Sequence, residues 1–248
     1  GAPAWATFTD GAPTCTPAGR EESPAVVAAW DNFYLDRDGV RTELAKLWGR
    51  IAAEFATDPR VAGYDLLNEP GTASTVDRTV NGITSFYRTA IARIRRAERS
   101  VPGAHPRGHI IFFETSVHGA WPAFDLSDDT NLVFAPHNYA ESIGPSFPGL
   151  MGLLWTGLRA LATIYRTPIW IGEYGFWGDT VDRSERFAAS EDDALGSGGA
   201  GSTWWQWEQE CGDPHDVNGA YPPGEDWILQ QLPTCGRDGG SLHCTDRP

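Results

Sequence analysis

From Arg41 to Ala56 the apolar residues Leu44, Leu47, Trp48, Ile51 and Phe55 recur at helical spacing, which predicts an amphipathic helix ending before Asp58-Pro59. A short apolar run follows at 61–69 (VAGYDLLNE). It reads as a buried strand stopped by Pro70-Gly71. The helical stripe returns between Asn81 and Arg99 through Ile83, Phe86, Tyr87, Ala90, Ile91 and Ile94, and Pro102-Gly103 bounds it. Apolar runs at 109–114 (HIIFFE), 131–137 (NLVFAPH), 168–173 (PIWIGE) and 202–207 (STWWQW) predict further strands, with helices around 150–165 and 183–194. Between 114 and 131 the segment is irregular and shows no clear helical stripe. The sequence has no internal repeat and no low-complexity tract.

Near-continuous apolar strands alternating with helices predict an α/β fold, a parallel sheet covered by helices as in a doubly wound sheet or a β/α barrel. The strand ends carry the candidate chemistry. Four of the five predicted strands finish on polar or ionisable residues: Asn68 and Glu69, then Glu114, His137 and Glu173. In a β/α barrel the C-terminal strand ends converge on one mouth, so carboxylates remote in sequence become neighbours there. Glycoside cleavage needs two such carboxyl groups, one protonated to assist the leaving oxygen and one ionised to attack or to activate water. Glu69, in Asn68-Glu69-Pro70, and Glu173, in Gly172-Glu173-Tyr174-Gly175, are the candidates. Either alone reads equally as a loop carboxylate; the matched contexts of the pair give the functional reading its weight.

Composition narrows the partners. A formal charge of −14 argues against nucleic acid and anionic membrane surfaces, both of which need a basic face, and favours a neutral or cationic substrate. No apolar run is long enough to span a membrane. Eleven tryptophans suit stacking on sugar rings, and equally the lining of a barrel core. No HExxH, cysteine cluster or phosphate-binding glycine loop is present, so no metal or organic cofactor is expected. The four cysteines Cys15, Cys211, Cys235 and Cys244 lack zinc-site spacing and read as disulfides or as buried thiols. Cys235 and Cys244 bracket a glycine-rich loop and would close locally. Bridges would place the protein in an oxidising compartment, and secretion is the expectation.

The segments GYDLLNEP, FAPHNY, IWIGEYG and TWWQW resemble strands four, six, seven and eight of the glycoside hydrolase family 5 barrel of clan A. The stretches GAPAWA, AAWDNFYLDRDGV, DPRVAGYDLLNEP and WWQWEQECGDPH resemble its actinobacterial endoglycoceramidase-like branch. The resemblance covers nearly the whole chain. It implies a (β/α)8 TIM barrel, with residues 1–248 forming a partial catalytic domain of strands four to eight. It implies that Glu69 is the acid/base, Glu173 the nucleophile of a retaining mechanism with the two carboxyls roughly 5 Å apart, and Asn68 a ligand of the sugar 2-hydroxyl. His137 and Tyr139 match the family's His-x-Tyr, with the tyrosine beside the nucleophile. By itself His137 reads as often as a satisfied strand-end histidine.

Trp205 matches the sugar-stacking tryptophan after strand eight. Trp207 shares its face by the period of two. Both read equally as core without the family. Glu114 and His118 read either as substrate contacts or as a surface salt bridge, and Asp213 and His215 as rim residues. Trp121, Trp155 and Trp177, with Trp205 and Trp207, are candidates for an apolar aglycone surface. The resemblance implies a β-glucoside or glycolipid substrate. An endo-β-1,4-glucanase is the alternative within the family, and a non-catalytic sugar-binding fragment the alternative outside catalysis. Relatives carry three preceding βα units and a C-terminal β-sandwich. Residues 1–40 therefore read as the loop after strand three, and the chain as a piece that an N-terminal half would complement.

Overall fold

The computed structural model describes residues 3–13, 22–123, 129–139, 149–175, 189–190, 193–196, 199–205, 234–238 and 241–245. The chain divides into two compact units, Gly1–Ala135 with Ala162–Thr167, and Pro136–Leu161 with Pro168–Pro248.

The first unit contains α1 (Pro24–Tyr34), α2 (Val40–Phe55), β1 (Gly63–Asp65), α3 (Val76–Ser100), β2 (Ile110–Phe113) and β3 (Leu132–Phe134). β1 pairs with β2, and β2 with β3, all parallel. Helix α1 falls where a loop was expected. Ser23 caps it by accepting the Val26 N–H at 3.3 Å, and Pro24 opens the helix, where its missing donor is harmless. Helix α3 follows its predicted stripe: Ile83, Phe86, Tyr87, Ala90 and Ile94 are buried, and Ile91 at its margin is half-buried. Helix α2 is rotated from the expected face. Its buried residues are Ala45 and Ala52, while Leu47 and Phe55 are exposed. The small residues let α2 lie close against α3, where even a Cβ at Gly49 would come within 3.5 Å of Arg93 Cβ, and Leu44, Trp48 and Ile51 are left half-buried.

At the end of α3 a buried ionic network fixes the starts of β2 and β3. Arg95 donates to Asp129 at 2.7 Å, to Glu98 at 2.9 Å, to the His109 carbonyl at 2.7 Å and to the Asn131 carbonyl at 3.2 Å. Burial opposes the guanidinium charge, but Asp129 and then Glu98 outweigh it and hold the Arg95 pKa above its ordinary value. Beyond this network, Phe113 meets Tyr87, Phe134 and Tyr165 in an aromatic cluster.

The second unit contains β4 (His137–Asn138), the first turns of α4 (Leu150–Tyr165), β5 (Ile169–Tyr174), β6 (Gly199–Trp204) and a hairpin of β7 (Thr234–Asp238) and β8 (Ser241–Thr245). β5 runs parallel to both β4 and β6, and buries Ile169, Ile171 and Tyr174. The strand expected at 131–137 is interrupted between Phe134 and His137, because Pro136 has no N–H to continue a ladder. Of the helix expected around 183–194, residues 189–190 and 193–196 are helical and the others lie outside the described residues. Among the described residues no helix is long and apolar enough to cross a membrane.

Candidate active site

Glu69 sits on a loop that leaves β1 and is held at successive residues. β1 ends at Asp65, and the buried Leu66 still donates to the Phe112 carbonyl at 3.3 Å while its own carbonyl accepts from Trp48 Nε1 at 3.1 Å. Asn68 is exposed and Glu69 half-buried. Glu69 has φ +42°, a left-handed conformation uncommon for a residue with a side chain. The Glu69 N–H donates to Glu114 Oε2 at 2.9 Å, and the Pro70 carbonyl accepts from the Val117 N–H at 2.9 Å. The Gly71 carbonyl accepts from Tyr34 Oη at 2.6 Å. A side chain at Gly71 would collide with the Trp30 indole, so this close approach requires glycine. The Ala73 N–H donates to Thr79 Oγ1 at 3.0 Å, and the Ser74 N–H to Asp31 Oδ1 at 3.0 Å.

Glu114 follows β2 directly and is 1% exposed. That burial removes the surface salt-bridge reading. Its backbone N–H donates to Tyr87 Oη at 3.2 Å, and Tyr87 is itself buried. Burial first, and the Glu114 charge second, raise the Tyr87 pKa well above its ordinary value, so the phenol stays protonated. His118 is exposed; its Nδ1 lies 2.8 Å from the Thr72 hydroxyl and its Nε2 3.9 Å from Glu22.

In the second unit, the parallel register places His137 opposite Glu173. Tyr139 Oη donates to Glu173 Oε2 at 2.9 Å, and His137 Nδ1 lies 3.5 Å from the same oxygen. A phenolic donor on a carboxylate oxygen favours the ionised form, which is the state a nucleophile needs. Trp205, directly after β6, is half-buried, and its backbone N–H donates to the Tyr174 carbonyl at 2.8 Å. A Cβ at Gly175 would run into the Trp205 carbonyl, so the glycine of the GEYG motif permits the β5 and β6 ends to meet.

The tryptophans divide. Trp121 is 53% exposed, whereas Trp155 is 2% exposed, with the Arg159 guanidinium 5.2 Å from its ring centroid. Trp155 is therefore a core residue and offers no surface to an aglycone. The signal that would have found this is its spacing of four from Met151, also buried, which puts both on one face of α4. Trp177, Trp207, Asp213, His215, Cys15 and Cys211 lie outside the described residues. The residues that sequence reasoning missed are those holding the Glu69 loop: Asp31, Tyr34 and Thr79, with Tyr87 beneath Glu114. Asp31, Tyr34 and Tyr87 act on backbone groups 27 to 43 positions away, and Thr79 on one six positions before it, so no local motif marks them.

A family model described as cellulase (glycosyl hydrolase family 5) matches residues 22–210. Among curated proteins, endoglycoceramidase I of Rhodococcus hoagii (strain 103S) is 24% identical over 217 residues, covering 78% of this chain and 42% of that protein. Among solved structures, an endogalactoceramidase is 41% identical with a TM-score of 0.75, covering 88% of this chain and 48% of the other. Endo-glycoceramidase II from Rhodococcus sp., in a complex with ganglioside GM3, has a TM-score of 0.66 at 23% identity, covering 84% of this chain and 51% of the other. The chain thus spans about half the length of these relatives.

Proposed function

The chain belongs to glycoside hydrolase family 5, and from that membership we propose that it is a retaining β-glycosidase that releases the glycan of a glycolipid. The observation that carries the reading is the Tyr139 hydroxyl donating to the Glu173 carboxylate, a bond that favours the ionised form a nucleophile needs. Glu173 attacks the anomeric carbon while Glu69 passes its proton to the departing glycosidic oxygen, leaving a glycosyl ester on Glu173 and a free aglycone. Glu69, now a carboxylate, takes a proton from water as the water oxygen attacks the same carbon. The sugar leaves as a hemiacetal, Glu173 is again ionised, and Glu69 is again protonated.

Asn68 bonds the sugar 2-hydroxyl, and Trp205, with Trp207, stacks on the ring. The glycolipid assignment draws on relatives named endogalactoceramidase and endoglycoceramidase. Export, with Cys235 bridged to Cys244, and complementation by an N-terminal half belong to the same proposal.

The test is hydrolysis of glucosylceramide or lactosylceramide against cello-oligosaccharides in detergent, by the chain alone and with the preceding family segment added. Glycolipid cleavage is expected to dominate. Preferential cleavage of the oligosaccharides would replace the assignment with a glucanase, and sugar binding without turnover in both arms would leave a binding module. Glu173→Gln is expected to abolish turnover of every substrate. Glu69→Gln should spare only substrates with good leaving groups.

A further inference from the structure

We propose that Glu114 is the positioning residue for the acid/base Glu69, setting its direction through the backbone and not through contact with substrate. The proposal rests on the reading of Glu69 given above, but its geometry lies wholly within the first unit. Glu69 occupies left-handed backbone at φ +42°. A residue with a side chain is held there only where the surroundings over-determine it. Downstream, the loop is fixed by Val117 on Pro70, Tyr34 on Gly71, Thr79 on Ala73 and Asp31 on Ser74. Glu114 Oε2 supplies the bond at Glu69 itself, 2.9 Å from its N–H.

The choice of residue at 114 needs explaining, because a carboxylate is a costly group to bury. Glu114 is 1% exposed. Burial of a charge persists where it is hydrogen-bonded, and a charged acceptor holds a backbone N–H more tightly than a neutral one. The Glu114 backbone is fixed in turn, with its N–H on Tyr87 Oη at 3.2 Å and its carbonyl accepting from that hydroxyl at 3.3 Å. The chain of support runs from α3 through Tyr87 to the end of β2, through the Glu114 side chain to the Glu69 N–H, and so to the direction in which the Glu69 carboxyl leaves the loop.

Two measurements on the full chain test this. Hydrogen exchange reads the Glu69 amide directly, whether or not the chain turns over substrate. The amide is expected to be protected in the native protein, to lose protection in Glu114→Ala, and to keep most of it in Glu114→Gln, which retains an acceptor oxygen. Steady-state kinetics then compare a substrate that needs leaving-group protonation with an activated aryl glycoside that does not. Glu114→Ala is expected to lower kcat on the first by up to about 100-fold, to change the second far less, and to be rescued by Glu114→Gln.

Where Glu114→Ala does not fold, Glu114→Asp carries the same expectation, because it keeps the charge and withdraws the carboxylate by one methylene. Unchanged protection at Glu69 in the alanine or aspartate variant overturns the proposal. So does an equal loss on both substrates. If Glu69→Gln itself shows no difference between the substrates while the amide behaves as expected, the acid/base assignment fails and the positional one stands.

Discussion

Tyr139 donates its phenolic hydrogen to Glu173 Oε2 at 2.9 Å, and His137 Nδ1 stands 3.5 Å from that same oxygen. The two aromatic residues come from one short segment beginning at β4, and the carboxylate from β5. Parallel pairing of His137 with Glu173 is what brings them together. The arrangement places a hydrogen-bond donor on an oxygen that, in the proposed reaction, must carry negative charge until it attacks.

Replacing Tyr139 by phenylalanine removes that donor and leaves the ring. A hydrogen bond to a charged group contributes about 1.5–3 kcal/mol. Tyr139→Phe is therefore expected to lower kcat/KM by roughly 10- to 150-fold. The sign of the pH effect follows from which form the bond favours. Its loss destabilises the carboxylate, so Glu173 protonates more readily and the acidic limb of the kcat/KM profile moves to higher pH. A variant with lowered activity and an unmoved acidic limb would show that Tyr139 acts by shape alone.

Much of this geometry was legible in the sequence, because strand ends and helix faces are local patterns. The stripe through Ile83, Phe86, Tyr87, Ala90 and Ile94 predicted the buried face of α3, and α4 covers the expected span, Leu150–Tyr165. Tyr139 was placed beside Glu173 by family resemblance, and the 2.9 Å bond agrees. What was not legible depends on close approach or on long-range backbone bonds. The buried face of α2 is set by Ala45 and Ala52, whose small size matters only once α3 lies against them. Glu114 read either as a substrate contact or as a surface salt bridge because nothing near it in sequence signals that its partner is the Glu69 N–H. The start of α1 did carry a local signal, Ser23-Pro24 ahead of an apolar run, which the expected loop obscured.

The β7–β8 register sets Cys235 opposite Cys244. Asp238 pairs with Ser241 across a two-residue connection, and the pair closing such a hairpin is hydrogen-bonded. Hydrogen-bonded and non-hydrogen-bonded pairs alternate outward from there, so Cys235 and Cys244 fall at a non-hydrogen-bonded pair, where Cα atoms approach to about 4.5 Å. That spacing lies within the range a disulfide spans, about 4.4–6.8 Å. Protein prepared under oxidising conditions is expected to yield a Cys235–Cys244 cross-linked peptide on non-reducing mass mapping, and the Cys235→Ser/Cys244→Ser variant to lose about 2–3 kcal/mol of stability. Quantitative alkylation of both thiols without prior reduction would remove the bridge from the proposal.

Arg95 gives the last prediction, one about stability. Its guanidinium joins Asp129 at 2.7 Å and Glu98 at 2.9 Å, and Glu98 Oε1 also accepts the His109 N–H at 2.8 Å. Side-chain exposure is 10% for Arg95 and 3% for Glu98, so solvent replaces little of what a substitution removes. Arg95→Met fills much of the same volume but strands the two carboxylates, and removing one partner of a buried ion pair costs about 3–5 kcal/mol. Arg95→Lys keeps the charge without the planar fork that reaches Asp129, Glu98 and the two carbonyls together, and should fall between the native protein and the methionine variant. Adding Glu98→Leu to Arg95→Met takes away one of the stranded charges, so the double variant is expected to recover part of the loss even though it lacks two native residues. Urea unfolding of the four proteins at neutral pH gives the ordering. A double variant less stable than Arg95→Met would show that Glu98 stabilises the unit mainly through His109, independently of the arginine.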